Sequence, residues 1–466
     1  PLRANSRTMQ FQDLCAVLLQ SSRSFSGTTS VRESGCGIYG KGVGGIMAES
    51  PAVPALKFPL GLNNRDRESA LPEGTLREAV NVDITRDGGL LVRQGLRAIA
   101  AGNFHSFYGH PYQTYVLAVQ DGSLIRWDGS TINALRAVHP TARMSYASLN
   151  NDVFFSNGYE QGRVTAAGTL TFWGLSTPPA PVCAVVADTG GLRAGTVRLT
   201  QVAVVDGVES GAPEPVAVSV PAGGGVQVTV PTGATFRVYA TEVDGDIFRQ
   251  AVTVESGGTA LIGAGFVGKP LESLFAVKPL PGLWITAFKG RLWVASGSVV
   301  WFTDTLSPHW LFPHAGYYAF EDTITGIVAA EDGLYIGTAA RVWYLQGLKP
   351  AEMTLRPVLH LGMVAGSGLN DIPADVLLGQ GAFPSRCGAF LDTDGVFCIG
   401  RPGGVVQRIT EQRYVMAPAE RASVAYWQHE GLRQFTVALE SVQGAANQAL
   451  DGLVQATFAN GTALSA

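Results

Sequence analysis

The chain has 466 residues, of which 57 are glycine, 15% are charged and 46% are hydrophobic, and its formal net charge is −4. That length suits two or three domains, or one large all-β domain carrying an insertion; glycine well above the usual ~7% and charge well below the usual ~25% imply many tight turns and flanks covered by neighbours. The charge balance and the lack of a dense basic run exclude a broad grip on nucleic acid, and no apolar run approaches the ~20 residues of a membrane helix.

In chain order, residues 1–46 are Ser-rich and lack helix or strand periodicity, so they read as a non-native or disordered leader. Gly44 and Gly45 require GGN codons just before the Met47 codon, where a bacterial ribosome-binding site would fall, so a native start at Met47 is expected. The ordered part opens with "GLNNRDRESALPEGTLREAVNVDITRDGGLLVRQG", residues 61–95. Here Pro72 and Gly74 predict a turn, Leu76 to Val80 one helical turn, and Val80, Val82 and Ile84 an alternating strand that reverses at Asp87-Gly88-Gly89. Asn63, Asn64, Arg65 and Asn81 have two readings: they satisfy loop backbone groups, or they touch a neighbouring subunit.

Apolar and small residues then alternate in "YVLAVQDGSLIRWDG" (Tyr115 to Gly129) and "NNDVFFSNG" (Asn150 to Gly158), with Gly-containing turns between them. After the Pro-rich boundary "STPPAPVCAVV", about a hundred residues carry many Val and Thr, with turn signals every ~8–12 residues, as in a β-sandwich. This segment resembles a fibronectin type III domain, with Arg237-Val238-Tyr239 where that family places its core tyrosine strand and without the usual early Trp.

Beyond it, "GRLWVASGSVVWFTD" and "DGLYIGTAARVWYLQ" match at one offset: Leu292 to Leu334 and Trp301 to Trp343 are both 42 positions. A looser copy begins at Asp394-Gly395. Aromatic hairpins at a period of ~40–45 residues indicate β-propeller blades, with Trp293, Trp301, Tyr335 and Trp343 as expected blade core. The expected fold is therefore all-β: a propeller of about six to seven blades, not all regular, with an inserted sandwich. The divisions are 47–177 for an N-terminal arm and first blades, 178–280 for the insertion, 281–441 for the remaining blades and 442–466 for a C-terminal tail.

Catalytic signatures are missing: there is no GxSxG elbow, HExxH, Walker loop or zinc spacing. His309 and His314 are spaced as in a loop rather than as metal ligands. Asp121, Asp128, Asp304, Asp332 and Asp394 fall at or near blade turns, where a carboxylate bonds the local backbone; a glycosidase would instead gather them at one mouth. The five cysteines lack CxxC spacing and read as reduced thiols, with Cys387 and Cys398 as the one pair to weigh for a disulfide across a hairpin. No catalytic residue, metal or cofactor is expected.

The opening stretch resembles the start of tail-nozzle or tail-hub proteins of tailed bacteriophages, including the "stabilisation" proteins that close short tails. The matching steps are Gly61-Leu62-Asn63-Asn64-Arg65, Leu71-Pro72-Glu73-Gly74, Glu78-Ala79-Val80-Asn81-Val82 and Arg93-Gln94-Gly95. The resemblance implies a non-enzymatic virion protein of the tail, made in the host cytoplasm. It implies a homohexameric ring, contacts to a tail adaptor and to fibre or needle proteins, and DNA passing through the channel without specific binding. Its rivals are a carbohydrate-binding or glycosidase-type propeller and a bacterial propeller scaffold.

Overall fold

The computed structural model describes residues 57–80, 82–85, 87–92, 100–109, 113–266, 268–305, 307–373, 385–429, 432–441, 453–459 and 462–465. Within them are 36 strands, three single-turn 3₁₀ helices and no α-helix. Six four-stranded antiparallel sheets, each built from four consecutive strands, form the blades of a β-propeller. Blades one to six span 104–137, 145–171, 284–319, 324–359, 369–408 and 419–465. The first strands of blades two to six neighbour one another in order around the axis.

The second strand of a blade is covered on both faces, which is why its sequence reads as a run rather than an alternation. In Gly333–Thr338 all six residues are buried, and in Asp152–Ser156 four of five are. Each face then packs on one neighbour: Leu117, Val119 and Leu124 of blade one meet Val153 and Phe155 of blade two. Phe154, Leu292 and Val294 join blades two and three, Trp293, Ile327 and Leu334 blades three and four. Val328, Tyr335 and Phe390 hold blade four to five, and Phe397 with Phe435 holds five to six. With each large side chain contributing roughly 1.5–3 kcal/mol on burial, these seams carry most of the ring's stability. The link from blade one to blade two meets blade six in an ion pair, Arg143–Glu440 at 4.0 Å.

One boundary differs from the sequence expectation. Leu453–Ala459 and Thr462–Ser465 pair onto the sheet of Ala419–His429 and Leu432–Ser441, so the stretch assigned to a tail supplies two strands of blade six. These strands carry a single aromatic residue, Phe458. The expected leader, 1–46, lies outside the described residues. Cys387 and Cys398 are free and sit in the cores on opposite sides of blade five, which excludes a bond between them.

The insertion is a β-sandwich. Val182–Val186, Gly225–Thr229 and Thr259–Ile262 form one sheet, and a five-stranded sheet centred on Gly195–Val205 and Thr235–Thr241 forms the other. Gly223 and Gly224 carry the chain from one sheet to the other. Val238 faces the inter-sheet core, whereas Tyr239 packs beneath the sandwich with Val202, Ala212 and Leu274. The long loop 303–316 of blade three clamps this base. Trp310 Nε1 donates to Glu209 O at 2.8 Å, Trp173 Nε1 to Pro308 O at 2.9 Å, and Val277 and Leu311 exchange backbone bonds.

Candidate functional site

The N-terminal motif folds as a clasp. Asn63 is buried, and its Oδ1 accepts from the backbone N–H groups of Arg65 and Asp66, both at 3.1 Å, while Nδ2 donates to Asp66 at 2.8 Å. A short polar side chain bonding its own loop in this way fixes the turn. Asn64 reaches across the molecule to the link between blades five and six. Its Nδ2 donates to Val415 O at 2.9 Å, and its Oδ1 accepts from Val415 N at 3.0 Å. The backbone N–H of Asn64 also donates to Arg413 O, and Arg413 Nη1 donates to Leu60 O, each at 2.9 Å.

Pro72 and Gly74 form the expected turn, with Thr75 N donating to Pro72 O and Gly74 at φ +83°. The helical turn expected over 76–80 is not formed: Leu76 pairs in a short parallel ladder with Leu62, and the 3₁₀ turn lies earlier, at Glu68–Ala70. Pairing with Gly61–Leu62 outcompetes the helix tendency of a segment too short to nucleate alone. Val82–Ile84 and Leu90–Val92 pair as expected. Arg65 and Glu78 are exposed, and the Glu78 charge adds to burial in pushing the Tyr414 phenol up. Asn81, Arg93 and Gly95 lie outside the described residues. The partners Arg413 and Val415 were not singled out from the sequence, because nothing local marks a bond across 351 positions.

The turn acids are split between the two ends of the blades. In an antiparallel meander, turns between second and third strands lie at one end, and those between first and second or third and fourth strands at the other. Asp121 and Asp394 belong to the first set, Asp128, Asp304 and Asp332 to the second. Each has a local partner. Asp121 caps Asn103 N, and Asp128 accepts from Thr131 N and Ser130 N, which pull its carboxyl down to about 2. Asp304 lies 3.7 Å from Arg291, Tyr344 Oη donates to Asp332, and Arg408 reaches Asp394 at 3.2 Å. Asp392, fully buried, accepts from Arg408 Nε at 2.8 Å and from the backbone of Asp394 and Val396.

His309 meets Trp310, and His314 meets Phe312, edge to face. Among the described residues no three His, Cys, Asp or Glu side chains gather as metal ligands. Trp293 and Tyr335 are fully buried, whereas Trp301 and Trp343 are half-buried at the edges of their seams.

One concavity stands out that no sequence motif marked. A cleft of about 480 Å³ opens beside blades three and four, lined by Arg291, Phe302, Tyr317, Tyr318, Lys349 and Pro350. A lobe of about 170 Å³ shares Arg291 and Phe302 and adds Asp304 and His314.

No family model matches the chain and no curated protein matches it. Among solved structures it is similar to BBS1N in complex with ARL6DN, at 10% identity over 70% of this chain and 85% of that one, with a TM-score of 0.30. The Neurospora crassa Pan2 WD40 domain matches at 8% identity over 72% and 86%, TM-score 0.30, and Kluyveromyces lactis Hsv2 at 7% over 70% and 87%, TM-score 0.27. These superpositions are loose, and the architecture stands on the six sheets themselves.

Proposed function

We propose that this chain is a non-enzymatic structural subunit of a phage tail, one of six copies in a nozzle or hub ring that closes the tail and through which DNA is ejected. The observation that carries the proposal is the opening segment, Gly61 to Arg65 with Leu71 to Gly74, which resembles that of tail-nozzle proteins and precedes the first blade as a clasp. Support comes from a chain with 15% charged residues and from large apolar side chains left in solvent, Tyr159, Phe172, Val182 and Ile247 among them. Such sides are suited to obligate contacts of roughly 2,000 Å² or more. A net charge of −4 suits a channel along which DNA slides without adhering. The inserted sandwich would then meet an adaptor, fibre or needle protein. A glycosidase is disfavoured by turn acids that lie at opposite blade ends and are each held by a local partner.

Mass photometry and negative-stain imaging of the purified chain test this reading. Six-fold rings with an axial opening are expected; a strict monomer at high concentration, with and without tail partners, refutes it.

A further inference from the structure

The two-lobed cleft beside blades three and four has a lining whose chemistry points to a ligand. Arg291 begins the second strand of blade three, Phe302 ends the third, and Tyr317 and Tyr318 begin the fourth. Lys349 and Pro350 come from the link between the third and fourth strands of blade four, and Tyr318 Oη donates to Pro350 O, joining the walls.

The larger lobe is lined by two cations and no carboxylate; Glu352 pairs with Lys349 at 3.4 Å from outside the lining. Arg291 is fixed in place: Nη1 donates to Thr303 O at 2.7 Å, and the guanidinium lies 5.8 Å from the Phe302 ring centre. Nη1 also lies 3.7 Å from Asp304, while Nε and Nη2 have no protein acceptor among the described residues, so part of a planar fork is left to receive a carboxylate. Tyr317, 47% exposed, leans on Trp301 at 5.2 Å and offers a ring face to solvent. In the smaller lobe Asp304 and His314 are a hydroxyl acceptor and a donor or acceptor.

A flat apolar face, Lys349 on one side, Arg291 at the junction of the lobes and hydroxyl partners beyond it match an acidic oligosaccharide: one carboxylated sugar over Tyr317 with its carboxylate toward Lys349 and the outer side of Arg291, the next sugar toward Asp304 and His314. The volume falls in the range of about 300–1,000 Å³ typical of small-molecule sites. We infer that this cleft is a binding site for carboxylated saccharides of the uronic-acid class, independent of ring assembly and without hydrolysis.

Calorimetric titration of the full chain with trigalacturonate tests it, with neutral maltotriose and AMP as comparators. Trigalacturonate should bind about tenfold or more tighter than maltotriose, the cations supplying the difference. Tyr317→Ala should weaken it about 3- to 10-fold through lost stacking, and Lys349→Ala about 3-fold at low salt, an effect that fades as salt screens it. Both side chains are exposed, so both variants keep the native far-ultraviolet spectrum. No binding of trigalacturonate, binding unchanged in both variants, or tighter binding of AMP overturns the assignment. A monomer that binds trigalacturonate would uphold the cleft while refuting the ring.

Discussion

Replacing Asn64 by alanine separates the two roles open to the opening motif. The side chain makes two part-buried bonds to one residue, Nδ2 to Val415 O at 2.9 Å and Oδ1 from Val415 N at 3.0 Å. Each such bond has a net worth of about 0.5–1.5 kcal/mol, so their joint loss should lower the free energy of opening the clasp by about 2 kcal/mol. Asn64 N to Arg413 O and Arg413 to Leu60 O survive the change, so the clasp loosens without detaching. The assay is hydrogen exchange followed by mass spectrometry on peptides covering 57–66 and 409–418. Local opening weakened by that amount gives about 30-fold faster exchange in both peptides, with blade three unchanged. Asn64→Asp, which keeps the acceptor and loses the donor, should fall between. If exchange in the monomer is unaltered while self-association is lost, Asn64 acts between subunits and the intramolecular clasp is refuted.

Gly388→Ala would bring a Cβ to 2.1 Å from Val328 Cγ1, a fully buried side chain at the seam of blades four and five. Overpacking of this kind costs about 1–3 kcal/mol; thermal melting should show the loss, and adding Val328→Ala should recover part of it. Asp392→Ala strips Arg408, itself only 18% exposed, of its buried partner and leaves it Asp394 and Glu411, and a loss of about 1–3 kcal/mol in urea unfolding is expected. His105 and His309 both titrate below the ordinary value of 6.5, mainly through burial, with Arg143 and Arg163 respectively adding to it. Since the folded form resists their protonation, stability is complete above the unfolded pKa of about 6.5 and falls as pH drops through it toward the folded values. Melting temperatures at pH 7 and pH 5 should converge in a His105→Gln, His309→Gln double variant relative to the parent.

The propeller was legible because its blades repeat a packing problem. Leu292 and Leu334 hold the same place in consecutive second strands, as Trp301 and Trp343 do in third strands, and the shared environment leaves the 42-residue offset in the sequence. Blade six was not legible past 441, since Leu453–Ala459 and Thr462–Ser465 carry one aromatic, Phe458, and follow a Gly- and Ala-rich stretch. In the opening motif the turns were readable from Pro72, Gly74 and Gly88, whereas Leu76 took its conformation from Leu62, a distant partner with no local trace. The cleft left no motif because Arg291, Phe302, Tyr317 and Lys349 come from separate strands and links of two blades. Only the packing of blade three on blade four brings them together.

The clamp at the foot of the sandwich makes the inserted domain a lever rather than a pendant. Trp310 grips Glu209, Leu311 is laced to Val277, and Trp173 holds Pro308, so the two crossing chains have no free swivel at the joint. A sideways pull on the arm is delivered as torque to loop 303–316 of blade three, whose far end supplies Phe312, His314 and Ala315 to the smaller lobe of the cleft. Strain at the tip of the arm and the shape of that lobe are thereby mechanically geared through a single stretch of backbone.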